Sequence, residues 1–287
     1  MRLVLGNKPP PGSPQGTLAN SIKPTGGAET ELTTPSGQQS GLKMNVNITV
    51  PAGQVADFAI DFDACKSFVK SGTSGQYLIK PVLSVIPILS AAGQRIVGFV
   101  DASLATGGAS VSAQTTSGTP VRATPPDATG RFTLYPVPMG NYTVVVTAPG
   151  RVTSVMTGVP VTADTTTTVN AAGTPITPPA TVLAPRAVTG TVTPATATVR
   201  ALQALASGPT IETAYAAVDG VSGAFTFSLP IEAPVRTAYV AGAPTLTFAS
   251  DTLALGLYTI EATSAGAIQP TAIDTKAAVA PLTFTFP

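Results

Sequence analysis

The sequence predicts an all-β chain of tandem β-sandwiches of the Ig-like kind, and three observations point there. Short runs in which apolar and polar residues alternate are separated by Gly, Pro, Asn and Asp turns along most of the chain. Composition agrees: of 287 residues 27 are Gly and 28 Pro, only 10% are charged and 44% are hydrophobic, enough apolar surface for cores between many turns. One strand–turn–strand pattern also recurs. In residues 130–149 Phe132 and Leu134 alternate with Thr133 and Tyr135, residues 136–141 break the pattern, and Tyr142, Val144 and Val146 resume it. Gly223, Phe225 and Phe227 open a second copy, and Gly256, Tyr258 and Ile260 close it.

Taken in order, Leu3 to Leu5 read as a strand and residues 7–16 as a Pro/Gly loop. A loop at 35–40, a strand at 42–48 and a turn at 51–53 lead into a strand at 55–63. There Phe58, Ile60 and Phe62 form the face expected to be buried, and Asp57, Ala59, Asp61 and Asp63 an acidic outer face. Residues 64–69 suit one helical turn, and 77–85 a strand in which Pro81 marks an edge or bulge. The motifs RLVLG at 2–6, SGLK at 40–43, VPAG at 50–53, IDFDA at 60–64 and YLIKPVL at 77–83 together resemble the C-terminal part of a domain-of-unknown-function family (number 4382) of bacterial and archaeal envelope lipoproteins. The resemblance implies a partial N-terminal β-sandwich over residues 1–92, with a signal, a lipid-attachment cysteine and further strands upstream. The apolar residues before Gly6 are too few for a signal-peptide core.

Residues 93–172 give strand signals at 96–100, 109–114, 130–134, 141–147 and 159–169, the spacing of a sandwich. A Pro/Thr stretch at 173–186 reads as a semi-rigid linker. The cycle restarts in 187–287, where 188–192, 198–202 and 219–227 correspond to strands of the preceding unit. Phe225 and Gly256 stand much farther apart than Phe132 and Gly140, so the second copy carries an insertion, residues 230–255, expected as a hairpin of 236–240 and 245–248 turning at 242–244. Both units resemble the carboxypeptidase regulatory-like family. Gly98-Phe99-Val100, Ala109 to Val111, Asp127 to Phe132 and Gly140 to Val144 carry the pattern in the first copy. Gly190 to Val192, Ala197 to Val199, Asp219 to Phe225 and Gly256 to Ile260 carry it in the second. The resemblance implies a transthyretin-like sandwich, an architecture found in stalks, carbohydrate-binding modules and enzyme appendages.

Composition excludes more chemistry than it suggests. Fifteen Lys and Arg against 14 Asp and Glu give a net charge of +1 without basic runs, which argues against nucleic acid as a partner. The chain has no His and one Cys, Cys65, so His-based nucleophilic catalysis, Cys/His zinc sites and intrachain disulfides are out, and Cys65 reads as a buried structural thiol. No nucleophile elbow occurs, and no lysine lies between Lys80 and Lys276 to form an isopeptide link in the middle unit. The apolar run 82–100 is broken by Pro87, Gln94 and Arg95, so no transmembrane segment is expected. Asp57, Asp61 and Asp63 are the candidates for a calcium site, weighed against a solvated acidic face. Asp127 and Asp219 read as turn-formers. With no Trp, Tyr135, Tyr215 and Tyr239 are the candidate exposed aromatics for a ligand such as a glycan.

The expectation is a non-enzymatic, extracytoplasmic structural or interaction protein of the bacterial envelope, secreted or at the cell surface. No cofactor is expected. Its partners are other proteins or further copies of itself through strand donation. A carbohydrate-binding cell-surface protein is the alternative.

Overall fold

The computed structural model describes residues 2–3, 6, 18–24, 27–33, 42–44, 57–72, 75–88, 93–206, 208–243 and 245–287. The expected loop at 35–40 and turn at 51–53 lie outside these residues, as does most of the strand at 42–48. Within them the chain is nearly all β.

The N-terminal part comprises β1 (Arg2–Leu3), β2 (Ser21–Ile22), β3 (Thr30–Thr33), β4 (Leu42–Lys43), β5 (Asp57–Phe62), β6 (Phe68–Ser71), β7 (Gln76–Ile79) and β8 (Leu83–Ile88). One sheet runs β2-β3-β7-β6, while β1 pairs with β4 and β5 with β8. The expected helical turn is present as α1 (Ala64–Ser67), capped where Asp63 accepts the Lys66 amide at 3.1 Å. The single strand expected over 77–85 is two, parted by the stretch around Pro81, whose ring removes a donor from the ladder. The expected burial along β5 is also corrected. Phe58 and Ile60 are 37% and 42% exposed, because among the described strands β5 pairs with β8 alone, whereas Phe62 packs on Phe68 at 5.5 Å.

The middle part comprises β9 (Arg95–Phe99), β10 (Ser110–Gln114), β11 (Pro120–Thr124), β12 (Arg131–Leu134), β13 (Gly140–Thr147), β14 (Ser154–Val161) and β15 (Thr166–Thr168). The C-terminal part comprises β16 (Arg186–Thr193), β17 (Thr198–Ala204), β18 (Thr210–Tyr215), β19 (Ala224–Leu229), β20 (Val235–Ala238), β21 (Ala249–Ser250), β22 (Leu257–Ser264), β23 (Ala267–Asp274) and β24 (Leu282–Thr285). The sheets β12-β9-β15 and β11-β10-β13-β14 recur as β19-β16-β24 and β18-β17-β22-β23. Each pair of sheets closes over its own core. Ile96, Phe132, Leu134, Val144 and Val146 belong to one, and Val188, Phe225, Phe227, Ile260 and Phe284 to the other.

Two glycines in each copy explain why the motif repeats. A Cβ on Gly98 would lie 2.7 Å from Phe132, and one on Gly190 2.5 Å from Phe225, so the buried ring needs a bare backbone opposite it. Each such ring contributes about 1.5–3 kcal/mol by its burial. Gly130 and Gly223 have φ of 80° and 68°, and a Cβ on either would strike the carbonyl of Val100 or Val192 at 2.1 Å. Asp127 and Asp219 make the turns just before them: Asp127 accepts from the Thr129 and Arg131 amides, and Asp219 from Val221 and Ser222.

Two expectations change in form. The Pro/Thr stretch read as a spacer is docked along the middle part. Ile176 pairs with Val100 and is buried in that core, the Val152 amide donates to the Pro179 carbonyl at 2.8 Å, and the Thr181 amide to Gly150 at 2.9 Å. Its prolines leave carbonyls that the neighbouring strand can use, so proline does not keep it free. The hairpin in the insertion exists, but its second strand is β21, after Leu246 and Phe248, whose side chains pack against the middle core.

Candidate functional site

Among the described residues no single side chain marks a reactive centre, and the junction between the parts is where buried polar and charged side chains gather. β13 contains the uninterrupted run Val144-Val145-Val146. On a strand successive side chains face opposite ways, so such a run buries both faces. Val144 and Val146 enter the middle core, while Val145 points outward and, with Val155 of β14, forms a second small core with Leu205 and Ile211 of the C-terminal part. All four are at most 5% exposed.

The insertion completes this junction by strand addition. β20 pairs in parallel with the edge of β14, Ser154 opposite Val235 through Thr157 opposite Ala238, extending the middle sheet to β11-β10-β13-β14-β20-β21. The Val235 amide donates to the Thr153 carbonyl at 2.9 Å and the Tyr239 amide to Thr157 at 2.8 Å. Arg236 anchors the added strand by donating to the Ala206 carbonyl at 2.7 Å. Its guanidinium lies 3.6 Å from Asp251, which itself accepts the Ala206 amide at 3.0 Å. Beside this, the buried side chain of Gln114 imitates a strand. It accepts the Glu212 amide at 2.8 Å and donates to the Glu212 carbonyl at 2.9 Å, with a further donation to Ser112. A parallel bridge between Ser117 and Thr210 and the bond from Arg200 to the Gly118 carbonyl at 3.2 Å extend the seam.

The N-terminal part reaches the same place through charges. Lys66 lies 2.8 Å from Glu212 and 4.7 Å from the Tyr215 ring centroid. The Glu212 carboxylate, nearly buried, also faces Arg200 at 3.6 Å, and Arg200 holds Glu261 at 2.7 Å. Burial pushes the Tyr215 phenol up to about 12, with the Glu212 and Asp63 carboxylates adding to it. Asp219 is drawn down to about 2, first by the Ser222 amide and hydroxyl and the Val221 amide, and further by the Gly72 amide, which donates to it at 2.7 Å from the N-terminal part. Lys80 donates to the Ala197 carbonyl at 2.8 Å, and burial lowers its pKa. Between the three parts lies a cleft of about 580 Å³, lined among others by Asp63, Lys66, Ser110, Thr147, Thr213 and Tyr215.

Of the residues singled out in sequence, Asp61, Asp63 and Tyr215 line this cleft, while Asp57, Tyr135 and Tyr239 lie elsewhere. Tyr239, expected to be exposed, is half-buried against the middle core, because β20 carries it onto β14. Tyr135 is half-buried with Arg95 stacked on it at 4.4 Å, and Tyr215 is half-buried with Lys66 on it; of the three tyrosines Tyr215 is the one that lines the cleft. The three acids are not gathered for calcium. Asp61 is ion-paired with Arg122, Asp63 caps α1, and Asp57 stands exposed at the start of β5. Among the described residues no group of three or more His, Cys, Asp or Glu is arranged to hold a metal ion. The side chain of Cys65 lies outside those described. No helix among the described residues is long and apolar enough to cross a membrane. Sequence reasoning missed Gln114 and Glu212, two polar residues inside strands, and it took the Val144 to Val146 run for simple alternation, although that run was the visible signal of a strand covered on both faces.

Two family models match the chain: residues 1–81 match a Domain of unknown function (DUF4382), and residues 95–174 a Carboxypeptidase regulatory-like domain. These are the two families that the sequence motifs resemble, and domains of the second are non-catalytic Ig-like folds. No curated protein and no solved structure matches the chain.

Proposed function

We propose that this chain is a non-catalytic structural or interaction protein of the bacterial cell envelope, acting outside the cytoplasm, whose modules are joined by strand donation and whose copies assemble by the same contact. The observation that carries this reading is β20, a strand from the C-terminal insertion that completes the sheet of the middle part. Strand addition supplies affinity through the backbone and selectivity through side-chain pockets, here those that receive Tyr239, Leu246 and Phe248. A strand that docks within one chain can dock between two when local concentration is high. Few charges and strands rich in Thr, Gly and Pro support a place outside the cell. The envelope assignment, and with it a lipid anchor, rests on the family resemblance of the N-terminal part.

The test uses Cys65→Ser with Thr157→Cys and Ala238→Cys, the last pair of partners in the β14–β20 register. Oxidised at rising protein concentration, this variant is expected to give disulfide-linked multimers beside the intrachain product. Only intrachain product, together with a monomer by light scattering at the highest concentration, overturns assembly by donation.

The cleft favours a second reading as a glycan-binding surface protein, because its walls offer hydroxyls and mixed charge around Tyr215. Glycan-array binding lost in Tyr215→Ala is its expected signature; an array without binding removes it.

A further inference from the structure

We infer that the middle and C-terminal units are built to carry tension along the chain, each through a parallel clamp between its entering and leaving strands. The middle unit is entered through β9 and left along β15, which runs parallel to it, Thr166 to Thr168 opposite Arg95 to Val97. The grip continues beyond the strand. The Val169 amide donates to Val97 at 2.9 Å, and the Asn170 side chain takes the Phe99 amide at 2.7 Å and returns a bond to the Phe99 carbonyl at 2.8 Å. Ile176 then donates to Phe99 and accepts from Asp101, both at 2.9 Å. The C-terminal unit repeats the device. It is entered through β16 and left through β24, parallel from Gly190 opposite Leu282 to Thr193 opposite Thr285, and the Phe286 amide adds a bond to Thr193 at 2.8 Å. In both units the entering strand is the middle strand of its three-stranded sheet, held on its other side by β12 or β19.

Parallel pairing is what makes this a clamp. When the entering strand is pulled by its N-terminal end and the leaving strand by its C-terminal end, the force lies along the strands and across the evenly spaced, slanted ladder bonds, which then share the load. Pulling the same two strands from one end breaks the bonds singly. Between the units, the segment that would otherwise be slack is tied to residues 150–152, so the middle unit passes load on without a free tether. The inference rests on the structural reading for its purpose, but its test reads the ladders alone, whatever the outcome for assembly between copies.

The experiment is single-molecule pulling on the full chain carrying Cys65→Ser and one cysteine added after Pro287, with a second attachment at either of two places. Val182→Cys, ahead of β16, loads the β16–β24 ladder in shear; Thr196→Cys, just past the end of β16, peels the same ladder from one end. Forced unfolding follows the barrier in the loaded direction. The rupture force through Val182→Cys is expected to exceed that through Thr196→Cys by roughly threefold, the order of the number of bonds sharing the load. The two variants should melt at the same temperature, so the difference is directional and not a matter of stability; if Thr196→Cys melts lower, Ala195→Cys provides the same geometry. Equal forces in the two directions, or a lower force in shear, overturn the inference.

Discussion

The middle and C-terminal sandwiches share a topology and differ on one face. Aligned on Tyr142 and Tyr258, which pair with Val159 and Ile273, the outward pair Val145 and Val155 of the middle unit falls on Glu261 and Pro270 of the C-terminal one. In the first place two valines are buried beneath the neighbouring unit and the strand edge is covered by β20; in the second a carboxylate pairs with Arg200 and the edge carries a proline. The comparison teaches that the inner face sets the fold, while the outer face decides what the fold touches. One copy is finished for burial, the other for exposure. Its Pro270 removes a donor from a ladder that would otherwise be free to recruit another chain.

The most drastic way to break the contrast is to give the middle unit a charge where the C-terminal unit has one. Val145→Asp places an unpaired carboxylate among Val155, Leu205 and Ile211, and a cost of roughly 3–5 kcal/mol is expected, as for other uncompensated buried charges. Calorimetry is expected to show two separate transitions for this variant and a single one for the wild type. Val155→Pro imports the other half of the difference. The bonds to the Thr153 and Thr157 carbonyls bracket Val155, so by alternation its own amide faces β20. Loss of that donor should cost about 1–3 kcal/mol and release β20, seen as fast amide exchange at Val235 to Tyr239 with β9 to β13 still protected.

Gln114→Ala removes the strand mimic alone and leaves the Glu212 amide and carbonyl without partners, at about 1–2 kcal/mol. A smaller effect is expected from acid. The Asp219 pKa is lowered from 3.8 to about 2 by its turn and by Gly72. Its contribution is therefore complete above the ordinary carboxylate value and is lost as pH falls through the window toward 2. The Gly72 amide should lose protection there, and Asp219→Asn should flatten that dependence. Pro270→Val sharpens the comparison in the opposite sense. It leaves the melting temperature nearly unchanged while reopening the β23 edge, and light scattering should report self-association beyond that of the wild type, through a second edge.

Much of the fold was legible because its signals are local. Alternation around Phe132 and Phe225 marks strands, and the repeated spacing of Gly98, Gly130 and Phe132 marks a ring laid over a bare backbone. The junction was far less legible, since pairing between β14 and β20 joins segments 80 residues apart, and nothing in either segment names the other. Tyr239 shows the cost of reading exposure from a single strand: its surroundings belong to a different unit. The setting of the acids was hidden for a similar reason, because Arg122, which engages Asp61, comes from another part of the chain. The valine run was different: its meaning could be read locally, and only its occupant could not.

The placement of β20 bears on how the chain can be cut. Its residues belong by sequence to the C-terminal copy and by hydrogen bonding to the middle one, so no single cleavage point separates two self-sufficient pieces. A fragment that stops before Arg186 carries the whole motif of the middle copy yet bares an edge and two valines that the intact protein never shows to water. The shortest stretch that keeps this seam closed contains both copies, which makes the pair, and not the single repeat, the unit to express.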